Sequence, residues 1–281
     1  MRINPKIKSV MRRTYYFVVD TIDLLLGRRG ELTPSKRIRG FVGDGDFREI
    51  GEEFLQYLIE LGRLKPNARV LDVGCGIGRM AVPLTRYLDK GGSYEGFDMV
   101  IDGINWCRKK IAPKYPNFHF QLVDIYNKVY NPKGKCKASE YKFPYENESF
   151  DFIFLTSVFT HMLPQDMENY FSEIARVLKK DGRCLITFFL LNTESSKLID
   201  AKLSLLDFKY KFEGCRTIDK STPESAIAYD ERFIRVLYKK YRLNIVEPIH
   251  YGFWCGRKKF LSKQDIVIAV KNPKMESAEK A

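Results

Sequence analysis

The sequence predicts an open, doubly wound α/β sheet, and three features predict it. From about residue 46 onward, apolar runs of strand length alternate with segments of helical periodicity. The first run, ARVLDVG at 68–74, is apolar almost throughout, as expected of a parallel strand covered on both faces. It leads into Gly74, Gly76 and Gly78, residues that let a backbone come close to a ligand at the start of a helix. Sheets of this kind bind ligands beyond the carboxyl ends of their strands.

Asp46 is placed to cap a helix that carries Ile50, Phe54, Leu55, Leu58 and Leu61 on one face. After the glycines a helix follows with Met80, Val82, Leu84 and Leu88. SYEGFD (93–98) reads as the second strand, 101–111 as a helix, and FHFQLVD (118–124) as the third strand. FDFIFLT (150–156) is the fourth. Pro164 opens a helix whose inner face is Met167, Tyr170, Phe171, Ile174, Val177 and Leu178. Asp181-Gly182 turns the chain into a fifth strand, 183–191. Asp230 caps a helix to about Tyr241, and 243–251 and 263–271 form a closing pair of strands. Two excursions break the rhythm, a basic aromatic one at 125–145 and a longer one at 192–229. Both are expected to wall a substrate site as lids. The domain therefore spans 46–273, between an extension at 1–45 and a disordered tail at 274–281.

Of the 281 residues, 44% are hydrophobic, enough for a large core. The net charge is +13, and residues 1–40 hold ten Lys and Arg against Asp20, Asp23 and Glu31, more than half of that excess. Ile7, Val10, Met11, Tyr15, Val18, Val19, Ile22, Leu25 and Leu26 recur there at helical spacing. A basic amphipathic helix of this kind either packs on the domain or lies on an anionic membrane, so peripheral membrane contact through 1–30 stays open. The six cysteines are scattered without a CxxC pair, which fits a reducing, cytoplasmic setting rather than a disulfide framework or a metal site. A signal peptide's apolar core is missing from the N-terminus, and no run of about 20 apolar residues is present to span a bilayer.

In the glycine loop the third glycine comes one residue earlier than in a dinucleotide fingerprint, and Arg79 fills the expected slot, which suits a pyrophosphate poorly. Asp98 closes the second strand, 24 residues after Gly74, where a carboxylate can accept two hydrogen bonds from a ribose diol. Asp124 closes the third strand and is placed to meet an exocyclic amine such as adenine's. Either acid alone reads as a cap or a solvated charge; the three matching strand ends together read as a nucleoside site.

The motifs VLDVGCGIGRM (70–80), YEGFD (94–98), QLVDIY (121–126), FPYENESFDFIFLTSVFTHML (143–163) and EIARVLKKDGRCLIT (173–187) resemble those of the class I S-adenosylmethionine-dependent methyltransferases. The resemblance covers residues 46–190 and extends more weakly to the closing strands. It implies a Rossmann-like sheet of seven mostly parallel strands with a reversed last strand, KQDIVIAVK. It implies S-adenosylmethionine as cofactor, with Gly74, Cys75, Gly76 and Gly78 facing its methionine and ribose. Asp72 would orient the loop or the ammonium, Asp98 hold the ribose hydroxyls, Asp124 the adenine amine, and Thr156 and Ser157 lie beneath the methionine. The stretch 41–54 and the ending WCGR…QDI are similar to relatives of a small-molecule, glycan-associated branch.

Methyl transfer needs an aligned nucleophile and, for a hydroxyl, a base. The chain has three histidines. His161, just after the fourth strand, is the candidate base, weighed against a role in packing the Pro164 helix; His119 reads as structural. His250, Tyr251, Trp254 and Arg257 are expected around the acceptor, with packing the plainer role for Trp254. Absent are the D/N-P-P-Y/F of amine methylation, a Pro-Cys after the fourth strand, the paired glutamates of arginine methylation and a metal-binding acid set. The expected function is methylation, on oxygen, of a small-molecule, sugar or lipid-linked acceptor, with no metal. RNA modification, suggested by the charge, and a non-catalytic cofactor-binding adaptor at a membrane surface remain alternatives; the oligomeric state is open.

Overall fold

The computed structural model describes residues 14–16, 18–22, 26, 30–39 and 45–272. Residues 14–16 and 18–22 are helical; most of the rest of the expected amphipathic helix at 7–26, and the expected tail at 274–281, lie outside the described residues. The chain enters the domain through α1 (Phe47–Glu60). Asp46 caps it, its carboxylate accepting from the N–H groups of Arg48 and Glu49 at 2.8 and 3.0 Å, which satisfies two of the donors a helix start leaves unpaired.

Then follow β1 (Arg69–Val73), α2 (Ala81–Tyr87), β2 (Ser93–Asp98), α3 (Ile101–Lys110), β3 (Phe118–Leu122), β4 (Phe150–Leu155), α4 (Pro164–Val177) and β5 (Leu178–Phe188). The last part comprises β6 (Leu190–Leu191), α5 (Thr193–Asp200), β7 (Tyr210–Phe212), β8 (Cys215–Thr217), β9 (Ile227–Asp230), α6 (Glu231–Lys240), β10 (Leu243–Ile245) and β11 (Asp265–Lys271). Seven strands make the main sheet in the order β10-β11-β5-β4-β1-β2-β3. Strands β1 to β5 run parallel, and β11 is antiparallel to both β5 and β10, so the expected reversed strand is in place. Because β11 is reversed, the residues that precede it arrive at the same end of the sheet as the glycine loop.

The alternation of side chains along β1 sorts the core into two layers. Leu71 and Val73 face one side, with Phe97, Ile153, Phe159, Phe171, Ile174 and Tyr238. Val70 faces the other, with Leu84, Tyr94, Trp106, Cys107, Phe152 and Phe154. Each fully buried aliphatic or aromatic side chain contributes about 1.5–3 kcal/mol, so both faces of the central strands are strongly specified.

Three boundaries differ from expectation. The fifth strand begins at Leu178 rather than 183, running through the Asp181-Gly182 turn, where Asp181 has φ +59°. It ends at Phe188, because the Leu190 N–H leaves the main sheet to donate to Asp265 Oδ2 at 2.7 Å, and Leu190 pairs with Tyr229 instead. The segment 243–251 is strand only at β10, with His250 returning as an isolated bridge to Ile266. The excursion 192–229 is folded: α5, β7, β8 and β9 are part of it, and β6-β9-β8-β7 form a second sheet. Among the described residues no helix is long and apolar enough to cross a membrane.

Candidate cofactor and acceptor site

The loop between β1 and α2 is shaped by its own glycines. Gly74, Gly76 and Gly78 have φ of +81°, +54° and +72°, a region that disfavours a side chain. A Cβ on Gly74 would stand 2.4 Å from Val158 Cγ2, and one on Gly78 2.8 Å from Cys107 Sγ. The N–H groups of Gly74 and Cys75 both donate to the Phe97 carbonyl, at 2.9 and 3.1 Å, which ties the loop to the end of β2.

Asp98 lies at that end. Its Oδ2 accepts from the Gly76 N–H at 2.8 Å and its Oδ1 from the Val100 N–H at 2.8 Å. Two backbone donors thus fix the carboxylate, and each oxygen keeps a lone pair for a diol. Burial pushes its pKa up, against the pull of these N–H groups. Asp72 lies on β1 beneath the loop and is buried. Its Oδ2 accepts from Tyr94 Oη at 2.7 Å, while Oδ1 has no partner. Burial raises its pKa to about 8, and the charge of Asp98 adds to the rise. Asp124 is exposed, two residues past β3, with its carbonyl accepting from Lys135 and Cys136 N–H and Oδ1 3.4 Å from Asn131 Nδ2. Cys75 is buried, and burial lifts its thiol well above the usual range.

Beyond β4, Thr156 is half-buried and Ser157 is exposed with φ +61°. The Ser157 N–H donates to Thr187 Oγ1 at 2.8 Å; the hydroxyls of Ser157 and Thr187 both donate to Gln264 Oε1, at 3.1 and 2.6 Å. The sheet order β4-β1-β2-β3 therefore sets Ser157, the glycine loop, Asp98 and Asp124 in one row along the carboxyl edge. Gln264 joins the row from the reversed strand, and sequence reading gave it no role.

His161 ends a single helical turn, Phe159–His161. Its Nδ1 is 2.8 Å from the Glu224 carbonyl, which can only accept, so the ring proton is on Nδ1 and Nε2 carries a lone pair. That lone pair faces Tyr130 Oη at 3.3 Å, and the two rings meet edge to face with centroids 5.2 Å apart. Burial lowers the imidazole pKa, keeping it neutral. Asn127 joins the 125–145 excursion to this histidine: its side-chain oxygen accepts from the N–H groups of Val129 and Tyr130 at 2.9 and 3.0 Å, and its amide donates to the His161 carbonyl at 3.0 Å. His119, expected as structural, sits exposed on edge strand β3, 3.0 Å from Glu95.

The four residues expected around the acceptor separate. Trp254 and Arg257 are both buried, in a cluster centred on Asp265, which for Trp254 is the packing role expected as the plainer one. Trp254 Nε1 and the Leu190 N–H donate to Asp265 Oδ2 at 2.8 and 2.7 Å, and the Gly252 N–H and Arg257 guanidinium to Oδ1 at 2.7 and 3.1 Å. Arg257 also reaches Glu194 at 2.8 Å and stacks on Tyr251 at 4.5 Å. Tyr251 Oη donates to Glu231 at 3.0 Å and borders a cavity of about 740 Å³ against the second sheet, with Asn192, Glu194 and Arg216. His250 is half-buried and its pKa is lowered by burial.

These residues fit a sulfonium nucleoside joined to an amino acid. The glycine backbone admits a close approach, Asp98 presents two acceptors, and the unpartnered Asp72 Oδ1 is a buried acceptor lacking a donor. Comparison with known proteins agrees. A family model described as a methyltransferase domain matches residues 71–186. Over 162 residues the chain is 28% identical to the cyclopropane-fatty-acyl-phospholipid synthase of Escherichia coli K12, covering 57% of this chain and 35% of that one. Over 158 residues it is 28% identical to a fatty-acid O-methyltransferase of Mycolicibacterium smegmatis, covering 54% and 50%. The match thus spans a third to a half of these relatives' length. A solved S-adenosylmethionine-dependent methyltransferase of Methanosarcina mazei superposes with a TM-score of 0.51 at 25% identity, covering 77% of this chain and 98% of that one. Sheet order, glycine cradle and these likenesses converge on a class I S-adenosylmethionine-dependent methyltransferase domain, matched over residues 71–186, with S-adenosylmethionine as its cofactor.

Proposed function

We propose that the protein transfers a methyl group from S-adenosylmethionine to an oxygen of a lipid-linked, sugar or other small-molecule acceptor, with a lipid-linked acceptor first. The bound cofactor supplies a methyl group activated by its sulfonium. The chain's own residues bind, orient and deprotonate. Backbone at 74–78 and the Asp98 carboxylate hold the nucleoside, Asp72 balances the ammonium, Asp124 meets the adenine amine, and Thr156 and Ser157 border the methionine. The acceptor oxygen would receive the electrophilic methyl group of the cofactor, and His161 Nε2 would take the proton of the acceptor hydroxyl.

The observation that carries the choice of oxygen is the tautomer of His161. With Nδ1–H held by the Glu224 carbonyl and the pKa lowered, Nε2 is unprotonated at neutral pH and meets the Tyr130 hydroxyl, in the place an acceptor hydroxyl would take. Alignment of acceptor and methyl contributes up to about 7–11 kcal/mol to the rate, and a base adds about 10²–10⁴-fold. Two of the relatives are named for fatty-acyl or fatty-acid substrates, which favours a lipid acceptor. The test is incubation with methyl-labelled cofactor and fractionated lipid, small-molecule and RNA extracts. A labelled methyl ether or ester in the lipid or small-molecule fraction is expected; label on nitrogen, carbon or RNA overturns the reading. His161→Ala should lower turnover about 10²–10⁴-fold while leaving calorimetric cofactor affinity unchanged.

A further inference from the structure

We propose that two adjoining loops, 202–206 and 253–263, form a docking surface for an anionic lipid bilayer and bring the crevice to it; this deepens the lipid-acceptor reading. The loops are one unit. The Leu205 N–H and the Ser204 hydroxyl both donate to the Trp254 carbonyl, at 3.0 and 3.1 Å. Gly256, with φ +92°, lies so close to Leu203 that a Cβ there would be 2.5 Å from the Leu203 carbonyl oxygen. Beneath them Phe189, Phe208 and Trp254 pack into a buried cluster, so the surface stands on a rigid base.

On the outside, large apolar side chains meet water. Leu203, Leu205 and Phe260 are 60%, 59% and 55% exposed, with Leu261 beside them. Lys202, Lys258, Lys259 and Lys263 are also exposed and interleave with them. Neither loop contains an Asp or Glu. Arg257 is turned inward onto Asp265 and Glu194, and the outward lysines make no ion pair among the described residues. Apolar residues ringed by uncompensated lysines match a bilayer with acidic headgroups, where the lysines meet phosphates and the aliphatic side chains enter the acyl boundary. Of these exposed apolar residues only Phe260 is aromatic, and its ring packs on Phe253 with centroids 4.9 Å apart, so the patch is mainly aliphatic, which disfavours RNA as the occupant.

Position makes the surface useful. Residue 263 leads directly into Gln264, which holds Ser157 and Thr187 at the carboxyl ends of β4 and β5. Tyr57 of α1 donates to the Leu261 carbonyl at 3.0 Å. The patch therefore borders the same end of the sheet as the cofactor row, and a bilayer lying on it meets the crevice mouth.

The test is co-sedimentation of the full chain with phosphatidylcholine vesicles, with and without phosphatidylglycerol. Binding is expected only to the anionic vesicles. Lys258→Gln with Lys259→Gln should weaken it about 30-fold, from about 5-fold per lysine. Leu203→Ser with Leu205→Ser should leave a weak binding that salt abolishes. Wild-type affinity in both double variants, no vesicle binding by the wild type, or retention of RNA in place of vesicles overturns the proposal. Cofactor affinity, measured on the same samples, reports on the methyltransferase reading separately, because docking requires no turnover.

Discussion

Asp72 and Asp265 are both buried carboxylates at the carboxyl end of the sheet, and the chain treats them in opposite ways. Asp265 receives four donors, from Leu190, Gly252, Trp254 and Arg257. Asp72 receives one, from Tyr94, and its second oxygen receives none. A satisfied buried charge is a fastening, here joining the reversed strand to the second sheet. A half-satisfied one is retained at a cost in stability, which is reasonable only where a ligand supplies the missing partner. The comparison breaks most easily at Asp265. Asp265→Ala strands an arginine and three N–H donors at once and should destabilise the apo-protein by about 3–5 kcal/mol, read as a drop in the denaturant midpoint. A loss within ordinary surface-mutation scatter would show that the cluster does not fasten the two sheets.

The next largest effect is at Asp98. On the proposed reading Asp98 makes two charge-assisted hydrogen bonds to the ribose, each about 1.5–3 kcal/mol, so Asp98→Ala should weaken cofactor binding by about 100-fold or more in calorimetry. Unchanged affinity would leave the row of strand-end acids without its central member.

A smaller effect separates the two buried acids by pH. Both have folded pKa values above the unfolded aspartate value of 3.8, Asp265 at about 6 and Asp72 at about 8. In each case the folded state keeps a proton that the unfolded chain has lost, so stability falls as pH rises from near 4 and levels off past the folded pKa. The Asp265 contribution ends near pH 6, and that of Asp72 continues to about pH 8. Asp72→Asn should therefore gain stability over the wild type as pH rises from 6 to 8 in thermal melts of the apo-protein. A cationic ammonium beside Asp72 favours its ionised form, so cofactor affinity in the wild type should rise over the same window, and the variant should lose that rise. Parallel pH profiles for the two proteins would remove Asp72 from the cofactor's surroundings.

The same contrast explains what was legible. β1 and β4 are apolar runs set by local pattern, and the glycines of 74–78 and Asp98 sit directly at the ends of β1 and β2, so short motifs report them. The second sheet escapes such reading because β7 and β8 are three residues each, too short for a period. Arg257 reads as a pocket residue because its partner Asp265 is a carboxylate whose other donors include Leu190, 75 residues earlier. Gln264 acquires its place only from the reversal of β11. The His161 position was visible after β4; its tautomer, set by a carbonyl 63 residues on, was not.

Tyr130 offers the finest test, since it stands where the two kinds of region meet: a residue of the basic excursion, held by Asn127, with its hydroxyl on the lone pair of His161. An acceptor hydroxyl that uses Nε2 has to take the place of the Tyr130 hydroxyl. The hydrogen bond is long, at 3.3 Å, and a neutral bond of this kind contributes about 0.5–1.5 kcal/mol. Tyr130→Phe keeps the ring edge against the imidazole and removes only that competition, so KM for the acceptor should fall by about 2- to 10-fold with kcat unchanged. The opposite split, a lowered kcat at constant KM, would mean that the phenol stays in the proton path during reaction, and the excursion would then belong to the chemistry as much as the strand-end acids do.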